Sequence, residues 1–134
     1  MNYWLIKQEP EKYSFDDLIA EGATDWTGVR NFQARNNLRE MRLADKILFY
    51  HSVSEKAVVG LAEVSREAFQ DSTDDAGKWI AVEIKPVEKF AKAVSLDEIK
   101  AEKSLENIAL IKQSRLSVMP LSKTEFETII KLGK

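Results

Sequence analysis

Short apolar runs closed by polar residues or proline constrain the fold of this chain more than any other feature. Residues 3–6 are apolar without a clean alternation, which is typical of a strand buried on both faces. Pro10 prevents a smooth continuation of this strand, because proline cannot donate a hydrogen bond to a sheet. Residues 47–51 predict a second buried strand, and residues 57–64 and 79–87 predict two more. The chain therefore predicts a sheet of short strands.

Helix signals alternate with these strands. A serine followed three residues later by an acid marks a helix start at Ser14, at Ser95 and at Ser122. Gly22 ends the first helix, residues 32–41 carry apolar residues near helical spacing, and residues 104–111 suggest a further helix. Residues 115–120 predict a last strand or extended edge, and the acidic residues 70–77 predict a mobile, hairpin-like loop. This mixture indicates an α+β fold with a strongly curved sheet or a small barrel.

Length and composition limit the class of protein. The 134 residues contain no linker-like stretch and no internal repeat, so we expect a single domain spanning residues 1–134. Cysteine is absent, which excludes disulfides and thiolate metal sites and is typical of a reducing cytoplasm. The lone histidine argues against a zinc site, and no metal or cofactor is expected. Because no apolar run approaches the roughly 20 residues of a membrane span, we expect a soluble, cytoplasmic protein without membrane contacts.

The net charge limits how the chain can bind nucleic acid. Its formal net charge is -2 and its isoelectric point is about 5.5, whereas proteins that hold nucleic acid mainly through its phosphates are normally basic. A nucleic-acid role therefore requires a local basic patch and a specific pocket. One basic row consists of Arg35, Arg39, Arg42 and Lys46. It is interpreted either as a solvated helix face or as a contact to the phosphate backbone beside a pocket.

Sequence motifs for catalysis are absent from the chain. There is no GxSxG elbow, no phosphate-binding glycine loop, no HExxH and no cysteine nucleophile. His51 and Ser52 are adjacent, but neighbours on a strand point to opposite faces and are poorly placed to act as base and nucleophile on one substrate. We therefore expect a binding protein rather than an enzyme.

Aromatic and polar side chains occur together at the ends of the predicted elements. The aromatic members are Trp4, Trp26, Phe49, Tyr50 and Trp79, and the polar members are Lys7, Gln8, Asn31, Gln33, His51 and Ser52. Each aromatic residue taken alone is best interpreted as core. The set as a whole suits a cavity for a flat polar guest, because a buried amide or hydroxyl is costly unless it is hydrogen-bonded. A nucleobase is such a guest.

Five segments resemble the signature blocks of the EVE domain family, which belongs to the PUA-like superfamily. The segments are WLIKQEP at residues 4–10, WTGVRNFQAR at 26–35, ILFYHS at 47–52, VVGLAEV at 58–64 and SRLSVMP at 114–120. They follow the order found in the family and cover nearly the whole chain. The resemblance implies a PUA-like α+β fold, a curved mixed sheet or pseudo-barrel flanked by short helices. It also implies a non-catalytic reader of modified bases, with a pocket related to that of YTH domains, which bind methylated adenine in RNA.

The resemblance also implies a set of base-binding residues. Carried over by position, this set comprises Trp4, Lys7, Gln8, Trp26, Val29, Arg30, Asn31, Tyr50, His51, Ser52, Arg115, Leu116 and Ser117. In this hypothesis the aromatic members stack on the base, and Asn31, His51 and Ser52 hydrogen-bond to its edge. The expected partner is DNA or RNA carrying a modified base, with 5-methylcytosine and N6-methyladenine as candidates.

One departure from the family and two alternative functions remain open from the sequence. Gln8 occupies a position where the family commonly has serine, and an amide differs from a hydroxyl in reach and donor count, so the preferred base can differ. The first alternative is a protein that binds a small molecule or nucleotide metabolite. The second is an enzyme on modified nucleosides, with His51 as acid or base.

Overall fold

The computed structural model, which describes residues 1–134, contains one sheet and five helices. The strands are β1 (Tyr3–Gln8), β2 (Thr24–Asp25), β3 (Lys46–His51), β4 (Ala57–Gln70), β5 (Ile80–Ser95) and β6 (Val118–Leu121). The helices are α1 (Phe15–Glu21), α2 (Phe32–Glu40), α3 (Leu96–Ala101), α4 (Ala109–Lys112) and α5 (Lys123–Leu132), with a short 3-10 turn at Lys103–Leu105. None of these helices combines the length and the apolar character needed to cross a membrane.

The sheet is mixed and strongly bent. Its six strands run in the order β2-β5-β4-β3-β1-β6. Strand β1 lies parallel to β3, and all other neighbours are antiparallel. The pairing of β4 with β5 shifts register at several points, and each such bulge increases the local twist. The predicted α+β fold with a curved mixed sheet flanked by short helices is therefore confirmed.

Strands β1 and β3 form the centre of the core. Leu5 of β1 and Leu48 and Phe49 of β3 are completely buried, although neighbours on a strand point to opposite faces. Both faces of these strands are therefore covered, as their continuous apolar runs predict. On one face α1 packs against β4 at Gly60, where a Cβ atom would lie only 2.5 Å from ring carbons of Phe15. This close approach requires glycine.

The capping signals place the helix starts correctly. Ser14, Ser95 and Ser122 are the N-caps of α1, α3 and α5, each in a reciprocal capping box. Gly22 ends α1 with a φ of 81°, which glycine adopts without strain. The predicted helix at 104–111 is broken into the 3-10 turn and α4.

The extent of the strands is less well predicted. Strands β4 and β5 continue to Gln70 and Ser95, well beyond the expected ends, because backbone pairing persists after their side chains become exposed. In the extended segment expected at 115–120, regular strand structure begins only at Val118, preceded by one hydrogen bond from the Lys7 N–H to the Ser117 carbonyl.

The loop between β4 and β5 is tied together by aspartate side chains, while its expected mobility stays a prediction. The Asp74 carboxylate accepts hydrogen bonds from the backbone N–H groups of Ala76, Lys78 and Trp79. Asp71 is completely buried and accepts from both the N–H and the hydroxyl of Thr73. The aspartate side chains thus accept hydrogen bonds from backbone N–H groups of the loop that have no partner in the sheet.

Candidate functional site

The carboxyl-terminal end of β1 distributes the predicted site residues over two faces of the sheet. Lys7 pairs with Tyr50 across the parallel ladder, and Gln8 pairs with His51. Because side chains alternate along a strand, Lys7 and Tyr50 lie on one face, whereas Gln8 and His51 lie on the other. A single pocket cannot collect all four.

Three cavities surround this strand end and divide the predicted residues among them. Gln8 and Trp26 line one cavity, Lys7, Tyr50 and Ser52 line a second, and Asn31, Arg115 and Leu116 line a third. Ser117 lines none of the three; its carbonyl accepts the backbone N–H of Lys7 at 2.9 Å. Val29 is buried in the core cluster. The structure therefore divides the predicted residues among three cavities.

The first cavity has an aromatic wall and is called here the Trp26 cavity. Its volume is about 180 Å³, and it is lined by Gln8, Tyr13, Thr24, Asp25, Trp26 and Thr27. The rings of Tyr13 and Trp26 meet edge to face, with centroids 6.1 Å apart, and Trp26 meets Phe49 in the same manner at 5.5 Å. Trp26 is only 6% exposed, so core packing fixes its position in the aromatic wall.

Backbone and side-chain hydrogen bonds make the wall rigid. The N–H of Trp26 donates to the carbonyl of Val82 at 2.7 Å. Two residues on, Gly28 has a φ of 83° and donates its N–H to the buried carboxylate of Asp71 at 2.8 Å. The Tyr13 hydroxyl donates to Glu21. Burial, and then this hydrogen bond, raise the pKa of Tyr13 to about 12, so its phenol is neutral at physiological pH.

The Trp26 cavity includes an unused donor, on Gln8, and an unused acceptor, on Asp25. The side-chain oxygen of Gln8 accepts the backbone N–H of Glu9 at 2.9 Å, which leaves the amide NH₂ of Gln8 as the free group. The exposed Asp25 carboxylate takes part in no side-chain hydrogen bond or ion pair. The cavity can therefore offer a hydrogen-bond donor and a charged acceptor to a guest that lies against the aromatic wall.

The second cavity lies on the opposite face and has a more apolar lining. Its volume is about 290 Å³, and it is lined by Lys7, Tyr50, Ser52, Val53, Lys56, Leu96, Leu110 and Ser114. The Lys7 amine donates to the carbonyl of Ser114 at 2.7 Å. Burial lowers the pKa of Lys7 and raises the pKa of Tyr50, because it disfavours the charged form of each group.

The third cavity is an open groove beside the start of α2. Its volume is about 310 Å³, and it is lined by Asn31, Gln33, Lys112, Gln113, Ser114, Arg115 and Leu116. Asn31 is the N-cap of α2, and its side-chain oxygen accepts the N–H of Ala34 at 2.9 Å. The side-chain oxygen of Asn31 is therefore used to cap the helix, and its amide NH₂ makes no hydrogen bond. Asn31 therefore has a structural role that the sequence interpretation did not include.

Trp4 lies far from the Trp26 cavity. It is four residues before Gln8, or about 13 Å along β1, and is 4% exposed within the core. Its indole N–H donates to the buried carboxylate of Asp45 at 3.1 Å. The prediction that Trp4 stacks on a base has no support in this position. Trp26 is the tryptophan that borders a cavity.

His51 has no free ring nitrogen. Its Nε2 accepts the backbone N–H of Phe15 at 3.0 Å, so this nitrogen carries no proton. Nδ1 therefore carries the proton and donates to the Glu55 carboxylate at 2.6 Å. Both the base-reading role and the acid or base role predicted for His51 would require breaking one of these bonds. Ser52 lies on the opposite face beside Lys7, as strand alternation predicts.

The predicted basic row does not form a single surface. Arg39 is exposed on α2, but Arg42 lies beyond the end of that helix, and its guanidinium donates to the carbonyls of Arg39 and Met41. Lys46 starts β3, at the far end from Gln8, and forms an ion pair with Glu63 at 3.2 Å. Arg35 lies apart from these, against aromatic rings.

Arg30 joins the wall of the Trp26 cavity to the loop between β4 and β5. Its guanidinium donates to Asp71 at 3.0 Å and to the Thr73 hydroxyl at 2.9 Å. Burial by itself would raise the pKa of Asp71. The hydrogen bonds from Thr73, from Gly28 and from Arg30 outweigh that effect and lower the pKa to about 2.

Several residues of this neighbourhood were missed from the sequence. Tyr13, Thr24, Asp25 and Thr27 line the Trp26 cavity, and Asp45 and Asp71 are buried acceptors. Asp25 and Thr27 flank Trp26 directly in the chain, which was the available signal for them. The local sequence does not mark Asp45 or Asp71 as buried acceptors for Trp4 and Gly28, because these partners are more than 40 residues away.

Known proteins match the chain over almost its full length. The model of the EVE domain family matches residues 2–132. Thymocyte nuclear protein 1 of Rattus norvegicus is 38% identical, over 98% of this chain and 73% of the relative, and its counterpart from Homo sapiens is 34% identical over the same shares.

Solved structures show the same fold. The crystal structure of the Agrobacterium tumefaciens protein Atu2648 has a TM-score of 0.95 at 43% identity, covering 99% of this chain and 93% of that one. The structure of human THYN1 protein in complex with 5-methylcytosine-containing DNA has a TM-score of 0.94 at 33% identity, covering 100% and 98% of the two chains.

Proposed function

The chain belongs to the EVE domain family, and we propose that it is a non-catalytic module that binds 5-methylcytosine of DNA in the Trp26 cavity. The observation that carries this proposal is the cavity itself, with an aromatic wall and an unused donor and acceptor. The crystallised complex of the human relative with DNA that contains 5-methylcytosine supports the choice of base and of DNA over RNA.

The polar groups of the cavity complement the edge of cytosine. The Asp25 carboxylate is suited to accept from the exocyclic amine of the base, which is the pairing that acidic side chains make with cytosine. The free NH₂ of Gln8 is suited to donate to a ring nitrogen or carbonyl oxygen of the same edge. N6-methyladenine also presents an amine beside a ring acceptor, so that base is the competitor to include in every measurement.

The energetics favour single strands and a modest effect of the methyl group. Turning a base out of a duplex costs a few kcal/mol, and contact with an aromatic side chain returns roughly 1–3 kcal/mol. A buried methyl group adds only ~0.8 kcal/mol, which is about fourfold in affinity. Discrimination beyond about fourfold would require that the unmodified base leaves an unpaired polar group or a trapped water in the cavity.

The decisive experiment is a titration with single-stranded DNA that differs only in one methyl group. Asp25→Asn removes the charged acceptor for the exocyclic amine of the base, so we expect about a tenfold or greater loss of affinity. Asp25 is exposed, so the substitution should leave the fold intact. Asp97→Asn makes the same change at an exposed site on α3 and should leave affinity unchanged. Equal affinities for Asp25→Asn and wild type would exclude the cavity as the base site.

Trp26→Ala also tests the cavity, with a control for folding. We expect this substitution to abolish the methyl preference. Because Trp26 is a core residue, the thermal stability of the variant must be measured alongside its binding. Ser52→Ala changes the cavity on the opposite face and should have no effect on binding.

The two alternatives give different results in the same assay. A binder of free metabolites would take up 5-methyldeoxycytidine with little dependence on salt, whereas binding of a strand should weaken steeply as salt rises. An enzyme would convert the nucleoside, and His51, with both ring nitrogens bonded, does not favour that alternative. The cytoplasm is the proposed location, because the chain contains no cysteine.

A further inference from the structure

An aromatic and cationic cluster lies on the surface beside the Trp26 cavity. It is called here the Phe32 platform and consists of Arg30, Phe32, Arg35, Lys78 and Trp79. The rings of Phe32 and Trp79 stack with centroids 5.0 Å apart and planes 30° apart. Phe32 is 52% exposed, and together with Trp79 it presents an aromatic patch to solvent.

The cations of the platform are held against the rings. The guanidinium carbon of Arg35 lies 4.9 Å from the Phe32 centroid, and the Lys78 amine lies 4.8 Å from the same centroid. The guanidinium carbon of Arg30 lies 5.7 Å from the centroid of Trp79. Such contacts keep long side chains extended at the surface and so reduce the entropy that a bound anion must overcome.

The charges of the platform are only partly compensated by nearby acids. Arg30 is paired with Asp71, and the Asp74 carboxylate accepts backbone N–H groups of the loop and forms no ion pair with the platform. Arg35 and Lys78 take part in no ion pair. The platform is therefore locally basic on a chain whose net charge is -2.

Arg35 also carries a cost that packing alone does not explain. Its Nε is the only buried side-chain nitrogen or oxygen in the protein without a hydrogen-bond partner. An unpaired buried donor is destabilising, and local violations of this kind concentrate at functional sites. The fold keeps the cation against the rings despite this cost.

The platform is connected to the Trp26 cavity by short rigid links. The carbonyl of Val82 on β5 accepts the N–H of Trp26, and Trp79, directly before β5, lies three residues before Val82, or about 10 Å along the chain. On the other side, Asp71 binds both Gly28 beside the cavity and Arg30 on the platform. A strand that places one base in the cavity can therefore reach the platform with its neighbours.

We propose that the Phe32 platform binds the nucleotides that flank the base held in the Trp26 cavity, with a neighbouring base on the rings and the phosphates on the cations. Exposed rings next to unpaired cations are the combination that binds single strands without sequence preference. A quaternary ammonium ligand, which also favours aromatic rings, would be repelled by Lys78 and Arg35. This proposal rests on the proposed function, because the cavity supplies the base from which the flanking positions are counted.

The test combines a protein variant with a DNA variant. Phe32→Ala should weaken binding of a short single strand with one 5-methylcytosine by about 5- to 150-fold, the range that corresponds to one base–aromatic stack. Val87→Ala removes a comparably exposed apolar side chain from β5, outside the platform, and should have no effect on binding. An abasic site is placed next to the 5-methylcytosine, on its 5′ side in one strand and on its 3′ side in another. At one of these two positions, the missing base should weaken binding by the wild type and leave binding by Phe32→Ala unchanged.

The cationic part has its own measurement. Lys78→Gln should reduce the slope of log affinity against log salt concentration by about 0.7, the value for one phosphate contact on a single strand. Lys103→Gln removes an exposed lysine from the 3-10 turn and should leave the slope unchanged. Thermal unfolding of all four variants should match wild type, because the changed side chains are exposed.

The outcomes separate this proposal from the proposed function. If Phe32→Ala behaves as Val87→Ala does, or loses the same factor on the abasic strand as on the intact one, the platform is overturned while the cavity stands. If Asp25→Asn has no effect but the Phe32 and Lys78 variants do, the platform stands as a strand-binding surface and the cavity assignment falls. Absence of any single-strand binding by wild type overturns both.

Discussion

The indole N–H of Trp4 donates to the carboxylate of Asp45, 3.1 Å away and 2% exposed. The same carboxylate accepts the backbone N–H groups of Asn2 at 3.0 Å and Arg42 at 2.9 Å. One side chain thus fixes the start of β1 against the turn that leads into β3. This relationship explains why a tryptophan near the amino terminus belongs to the core.

Asp45→Ala should destabilise the fold without affecting the base site. It leaves the buried indole N–H of Trp4 and two partly buried backbone N–H groups without their acceptor, and an unpaired buried donor costs about 1–3 kcal/mol. We expect the free energy of unfolding in urea to fall by at least about 2 kcal/mol. Asp75→Ala, at an exposed loop position, should change it by less than about 0.5 kcal/mol. An equal effect of the two substitutions would contradict the structural role of Asp45.

Gly60→Ala should be destabilising although alanine is a small residue. Its Cβ would lie 2.5 Å from the Phe15 ring, and overpacking of this kind costs about 1–3 kcal/mol. Chemical denaturation of Gly60→Ala, Phe15→Leu and the double variant forms a cycle that isolates the clash. We expect the double variant to be more stable than the sum of the single effects predicts. Strict additivity would mean that the ring is not the obstacle.

His51 should prove to be a structural residue. His51→Ala leaves the backbone N–H of Phe15 unpaired, so the free energy of unfolding should fall by about 1–3 kcal/mol. His51→Gln can place an amide oxygen near the position of Nε2 and should recover part of that loss. Neither change should alter the preference for 5-methylcytosine in a single-strand titration at a temperature where both variants are folded. A lost preference in His51→Gln would restore the base-reading role predicted from the sequence.

Asp71 should make stability depend on pH below about 4. Its folded-state pKa of about 2 is lower than the ordinary value of 3.8, so its contribution is present above pH 4 and is lost as pH falls through 2. The shift corresponds to roughly 2 kcal/mol. Urea unfolding of wild type and Asp71→Asn at pH 5 and pH 2.5 should show the larger loss in wild type. Parallel losses would show that other carboxylates cause the acid sensitivity.

The local sequence predicted those parts of the fold that depend on nearby residues. The serine and acid of each capping box lie three residues apart, so the starts of α1, α3 and α5 could be recognised directly. The continuous apolar runs of β1 and β3 predicted burial on both faces for the same reason. The acidity of residues 70–77 did not reveal that two aspartates of this loop accept backbone N–H groups.

The candidate site could be predicted only as a neighbourhood. The five sequence blocks indicated the family, and the resemblance placed Gln8 and Trp26 in one site; both residues do line the same cavity. The blocks could not tell on which face of the sheet each side chain lies. That assignment depends on the register of β1 with β3, which separates Gln8 from Lys7.

The sequence by itself determined the family, the α+β class and the positions at which the helices begin, since these follow from residue types a few positions apart. Only the tertiary structure decided which tryptophan borders a cavity. Trp4 and Trp26 are the same type of residue, but Trp4 is hydrogen-bonded to an aspartate 41 residues away, whereas Trp26 packs against Tyr13 and Phe49. Partners so distant in the chain are brought together by sheet pairing, and no local pattern encodes which of them will meet.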